Sequence, residues 1–414
     1  MKQYFVKNIY GKTTFLYIVL LFLIVFFCQE AKGQFPGVPV ITTPKAATMQ
    51  QYGSFSTPSL PRPNIPQPIY SPGISIQERN ARMIEEDMRQ VERQRQMQQR
   101  QIQEALEEFE PRQGLNMDVC RSVIPMPDFT SEQGTEYFFN AFDGIHQMLT
   151  GEAPVSLKVA IFLAENAYFG NRLSYADYNN HINQVAALCD LKIKQEGLDE
   201  KDPMIRKMML FHFMSDTFQV RLPGSEKTLT HLPITYDYND FEGREDLSNM
   251  FVTKVMAKNS GQCHSLALYY MVMAEAMGIE AYLSTAPMHN FVKIKDNKGK
   301  WHNLELTCGA ILTDHHHIQA GFIKSEALRN KIYLEPMTQQ QLIADVLLDV
   351  ASKYIRNHGF DKFVVECYTT ALKYHPNSVR AHIFRYDYYL ALALYVFERA
   401  GITSQEQVAL CPQA

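Results

Sequence analysis

Cys263, His289 and Glu305 follow one another in the residue types and order that nucleophilic acyl transfer needs. A cysteine thiolate attacks a carbonyl carbon, a histidine pairs with the thiolate and later protonates the leaving group, and an acid fixes the imidazole tautomer. Each residue alone has a plainer role: a buried core thiol, a satisfied histidine, an exposed strand carboxylate. The ordered set points to chemistry. Stabilising the oxyanion calls for two donors. The backbone amide of Cys263 can be one. Gln262 and Asn259 are candidates for the other by side-chain type, with Tyr236 and Tyr238 behind them.

The elements that must position these groups are legible around them. Gly261 and Gln262 precede a helical pattern from Cys263 to Met277, closed by Gly278 as a stop residue. Cys263 therefore falls in a first turn, where unpaired N–H groups and the helix dipole favour a thiolate. Residues 279–285 and 289–295 read as strands, Asp296-Asn297-Lys298-Gly299 as a hairpin turn and 300–307 as the return strand. A turn centred on Asn297-Lys298 sets His289 across from Thr307 or Glu305, within reach of a cross-strand contact. Trp301 is expected to pack in the core at the start of the return strand.

Gly-x-Cys on a helix, a histidine on a strand, then Trp-x-x-x-acid-x-Thr resembles the ordered motifs of the transglutaminase-like superfamily, a papain-like α+β fold. Cys263 matches the family nucleophile, His289 its histidine and Glu305 the acid. The stretch from Tyr236 to Tyr354 is similar to exported bacterial members with tetratricopeptide-like helices behind the core. Two residues depart from the pattern: His264 stands where an aromatic often follows the nucleophile, and Glu305 is one methylene longer than the usual Asp. The resemblance implies acyl transfer on amide or peptide bonds through a thioester, ending in hydrolysis or transamidation, with a protein or peptide as substrate. It also implies an alternative, a catalytically inactive member that serves as a protein–protein interaction module.

The chain has 414 residues, 46% of them hydrophobic and a formal charge of −4, which suits a globular protein and not a nucleic-acid-binding surface. Residues 1–33, with Lys2, Lys7 and Lys12 before an apolar run and Ala31-Lys32-Gly33 after it, read as a signal peptide for export to the periplasm or medium. Cys28 after the run raises lipidation as another reading, and an uncleaved membrane anchor is a third. Residues 34–75 are a proline-rich linker. Residues 76–110 form a charged helix whose spacing over 84–109 suits either self-association as a coiled coil or a solvated stalk. A transglutaminase-like domain over 115–335 follows, with helices expected at 156–171, 175–194 and 203–217, the last opened by Asp202-Pro203. Residues 336–400 are helical and tetratricopeptide-like, a surface where a protein partner would dock, and 401–414 are a tail.

No cofactor or metal site is expected. The seven cysteines are scattered without a CxxC pair. Asp237 to Ser248 fails as a calcium loop, with Phe241 at position five and Ser248 where a bidentate Glu is needed. The run Asp314-His315-His316-His317, placed on a loop, cannot turn every imidazole toward one ion.

Overall fold

The computed structural model describes residues 124–402 apart from Ser225, together with Gln96 and Arg100, both helical. The expected signal peptide and proline-rich linker, nearly all of the expected charged helix, and the tail from residue 403 on lie outside the described residues. Among the described residues no helix is long and apolar enough to cross a membrane.

Four helices open the continuous described stretch: α1 (Thr135–Thr150), α2 (Leu157–Tyr168), α3 (Tyr175–Gln195) and α4 (Pro203–Ser215). The last three match the helical periods of the sequence. Asp202 caps α4 by accepting from the Met204 amide at 2.8 Å, and Pro203 follows at the first helical position. A small antiparallel hairpin follows, β1 (Phe218–Arg221) with β2 (Thr228–His231). Then come β3 (Thr235–Tyr236), a 3₁₀ turn at Leu247–Met250, α5 (Val252–Lys258) and β4 (Ser260–Gly261), which pairs in parallel with β3. In the acidic stretch Asp240 accepts backbone amides from Arg244, Glu245 and Asp246, which makes it a turn organiser, as its sequence suggested.

The central helix is α6 (Cys263–Met277), ended by Gly278 at φ 65°. Leu266 to Ala274 are buried without interruption, the mark of a helix covered on every side. It packs on α2, α3 and α4 and on an antiparallel meander of β5 (Tyr282–Ala286), β6 (His289–Lys295), β7 (Trp301–Glu305) and β8 (Ala310–Leu312). The strands begin and end slightly differently from the sequence reading. On its free edge β5 is held by the Met337 amide on Leu283 O and the Leu334 amide on Thr285 O.

After the sheet come α7 (Asp314–Ala320), α8 (Ser325–Arg329), α9 (Gln339–Asn357), α10 (Lys362–Tyr374) and α11 (Val379–Ala400). The histidine run, expected on a loop, is the first turns of α7: Thr313 stands at its cap and Asp314 meets the positive end of the helix dipole. The amphipathic α9 packs against α1 and α2 as well as α10 and α11, so the C-terminal helices share a core with the N-terminal ones. Buried Glu165 on α2 accepts the Val252 and Thr253 amides at 2.7 and 2.9 Å and caps α5. Trp301 does not enter the core. It is half-buried, edge-on to Tyr282 with the Lys295 ammonium 4.7 Å from its ring centre, because β7 begins at the edge of the packed layer.

Candidate active site

The local sequence explains where Cys263 sits. Gly261 ends β4 against Tyr236 of β3, and a Cβ there would come within 2.6 Å of Val255 Cγ2 and 2.7 Å of Ser265 Oγ. Only glycine admits this close approach, which lets the chain turn directly into α6. The Gln262 amide donates to Ser265 Oγ at 2.8 Å, and Cys263 is the first helical residue, half-buried. His289 opens β6 after the tight turn Pro287-Met288, in which Met288 has φ 57° and is 87% exposed. A left-handed Met beside His289 is a backbone conformation disfavoured for a residue with a Cβ.

The β6–β7 register pairs Val292 with Leu304 and Lys295 with Trp301. On the side of His289 the ladder stops at Val292 and Leu304; Glu305 is the last residue of β7 and Thr307 lies in the turn that leads to β8. His289 Nε2 lies 2.6 Å from Glu305 Oε2. The other carboxylate oxygen accepts from Thr307 Oγ1 at 2.7 Å and from the Thr307 amide at 3.2 Å. Cys263 acts on His289 as a further hydrogen-bond and charge partner. Burial alone would lower the His289 imidazolium, but hydrogen bonds to Cys263 and Glu305 and their charges push its pKa up to about 10. Burial would raise Glu305, and its bonds to His289 and Thr307 outweigh that and hold it below the usual carboxylate range.

The two amide side chains named as oxyanion donors are engaged elsewhere. Asn259 Nδ2 donates to Leu232 O at 3.0 Å and Pro233 O at 3.1 Å, with Asn259 in the left-handed cap of α5. Fully buried Gln262 donates its Nε2 to Asp237 O and Asp240 O, both at 3.1 Å. Backbone carbonyls of the preceding loop capture both amides, and one of them, Asp240 O, also accepts from the Gly243 amide at 3.0 Å. Tyr236, paired with Gly261 two residues before Cys263, is another polar side chain near the thiol. Burial, then the neighbouring Cys263, Tyr238 and Glu305, drive its hydroxyl well above the ordinary tyrosine range, so it stays a donor.

His317, set aside in the sequence with the rest of its run, stands beside the site. It stacks on Phe291 at 4.0 Å, lies 6.0 Å from the His289 ring, and has a buried Nε2 without a partner. Burial pushes its pKa down to about 4, so it is neutral near pH 7. His289, Glu305 and His317 offer ligand atoms within 4.8 Å of one another. A metal there would have to displace the proton shared by His289 and Glu305 and open their 2.6 Å contact. His315 and His316 contribute no atom to this group.

A helix-borne cysteine packed on an antiparallel sheet that carries a histidine and an acid defines a papain-like α+β architecture. Residues 176–347 match the family described as the transglutaminase-like superfamily, and the chain carries a domain of that superfamily. No curated protein and no solved structure matches it. A domain of this kind is a cysteine enzyme or an inactive variant of one.

Proposed function

We propose that the protein is an exported cysteine acyl-transfer enzyme acting on amide or peptide bonds through a thioester. The observation that carries this reading is the 2.6 Å bond from His289 to a carboxylate that Thr307 holds in turn, with Cys263 acting on the same imidazole. The Cys263 thiolate forms a bond to the carbonyl carbon, and the oxyanion accepts from the Cys263 amide and the Tyr236 hydroxyl. His289 gives its proton to the leaving nitrogen as the C–N bond breaks. Water then attacks the thioester, passes a proton to His289, and releases the acid with the thiol sulfur restored as thiolate. An amine in place of water gives transamidation; hydrolysis is favoured because water is always available. Glu305 orients the imidazole throughout. The exposed Met288 and Phe322 flank His289 and His317 on loops that meet where Gly321 approaches Pro287, an apolar lip suited to a substrate side chain.

The test is selective alkylation. In the full chain, iodoacetamide should modify Cys263 faster than exposed Cys308 at pH 6–7, and the preference should vanish in His289→Ala. Equal rates for the two thiols in the folded wild-type protein would sink the enzyme reading. The interaction-module reading draws on α11, where Ile383, Tyr386 and Tyr389 are exposed. A folded chain with no thiol selectivity would favour it.

A further inference from the structure

The two residues that follow the reactive pair, His264 after Cys263 and Asn290 after His289, form a pair of their own. Asn290 Nδ2 donates to His264 Nδ1 at 2.8 Å, and His264 Nε2 therefore carries the hydrogen that meets Asp349 Oδ1 at 3.0 Å. Successive residues turn by about 100° on a helix and face opposite sides of a strand. One contact thus joins α6 to β6 on the reactive side, and the other joins the same two elements behind it.

The rear contact is anchored in the C-terminal helices. One guanidinium, Arg380 on α11, grips two carboxylates a turn apart on α9: Nη2 donates to Asp349 Oδ1 at 2.6 Å and Nη1 to Asp345 Oδ2 at 2.9 Å. Lys353, one turn further along α9, is buried with its ammonium over the Phe251 ring at 4.4 Å. His264 and Asp349 are nearly buried, with side chains 9% and 8% exposed. Burial would raise the Asp349 carboxyl, but Arg380, His264 and Lys353 hold it well below the usual range. A buried charge network is stable only when each member keeps its partner. Asp349 and Arg380 lie beyond residue 347, where the family match ends.

We propose that His264, Asn290, Asp349 and Arg380 are positioning residues: a hydrogen-bonded brace from α11 that fixes the start of α6 against the start of β6 and so sets the Cys263–His289 contact. The C-terminal helices are then part of the acyl-transfer machinery. His264, in the place of an aromatic residue, is the link that reaches them. This rests on the triad reading. An error of about 1 Å between nucleophile and base is enough to lower reactivity about a hundredfold.

The experiment compares alkylation of Cys263 with that of Cys308 in the full chain across pH 5–9, with peptide mapping and a thermal melt for every variant. Asn290→Ala and Arg380→Met should lower the Cys263 rate at pH 7 about tenfold and move its pH profile toward that of His289→Ala, while still melting cooperatively. Arg380→Lys, which keeps a cation on Asp349, should recover part of the rate. Leu390→Ala, a buried α11 residue outside the brace, should lower the melting temperature and leave the profile unchanged. A wild-type profile in folded Asn290→Ala and Arg380→Met would overturn the brace while leaving the triad standing. A shift in Leu390→Ala as large as theirs would also overturn it, since the effect would then be general loosening. Wild-type Cys263 reacting no faster than Cys308 would overturn the triad and the brace together.

Discussion

His289 Nε2 meets Glu305 Oε2 at 2.6 Å beyond the last β6–β7 pair, Val292 with Leu304, while Thr307, in the turn that follows β7, holds the other carboxylate oxygen at 2.7 Å. Glutamate, one methylene longer than aspartate, reaches His289 from the last residue of β7.

Replacing this acid should separate its length from its charge. Glu305→Gln should lower acylation by an activated ester about 10²–10⁴-fold, because the imidazole loses the carboxylate that fixes its tautomer. Glu305→Asp should fall between it and the wild type, keeping the charge without the reach. The burst of p-nitrophenol from p-nitrophenyl acetate measures both. An Asp variant as fast as the wild type would show that the extra methylene is not needed for the contact with His289.

Tyr236 offers a cleaner division of roles. Tyr236→Phe keeps the ring against Tyr238, which lies 4.9 Å away, and removes only the hydroxyl. Ester acylation passes through an oxyanion and should fall about 10²–10³-fold. Alkylation by iodoacetamide makes no oxyanion and should continue at the wild-type rate. Equal losses in both assays would show that the hydroxyl acts on the thiolate instead.

Stability should carry the signature of two histidines shifted in opposite directions. The His289 imidazolium is raised to about 10 from an ordinary 6.5, so the folded state holds a proton that the unfolded chain releases. Its contribution is complete below about 6.5 and is lost as pH rises toward 10. His317, lowered to about 4, stays neutral in the folded state while the unfolded chain protonates near 6.5. Its contribution is present above about 6.5 and is lost as pH falls toward 4. Thermal melts from pH 4 to 10 should show a flatter alkaline limb in His289→Gln. His317→Phe, which keeps the stack on Phe291, should flatten the acid limb.

Gly261→Ala tests the approach to the nucleophile's helix. Its Cβ would sit 2.6 Å from Val255 Cγ2 and 2.7 Å from Ser265 Oγ, and neither neighbour is a long flexible chain end. Overpacking of this kind costs about 1–3 kcal/mol, measurable by urea denaturation. The shifted start of α6 should also remove the alkylation preference of Cys263 over Cys308. Unchanged stability would mean that β4 can move away from α5 without penalty.

The sequence by itself determined what is local. The apolar period set α2, α3, α4 and α6, the caps Asp202 and Gly278 set their ends, and Asp296 to Gly299 set the hairpin that brings Glu305 beside His289. Each signal lies within about a dozen residues, the range over which backbone preference and side-chain periodicity act. Only the tertiary structure decided which polar groups near Cys263 are left to act. The side-chain types of Asn259 and Gln262 suit an oxyanion, yet loop carbonyls from Leu232 to Asp240 take both amides. Tyr236 is brought beside Gly261, two residues before Cys263, by the β3–β4 pairing, and His317 reaches His289 through the stack on Phe291. His264 finds Asp349 and Arg380 across the packing of three helices. These contacts join residues far apart in the chain, and a buried donor's partner is fixed by which acceptor packing brings to it, which residue type and spacing do not encode.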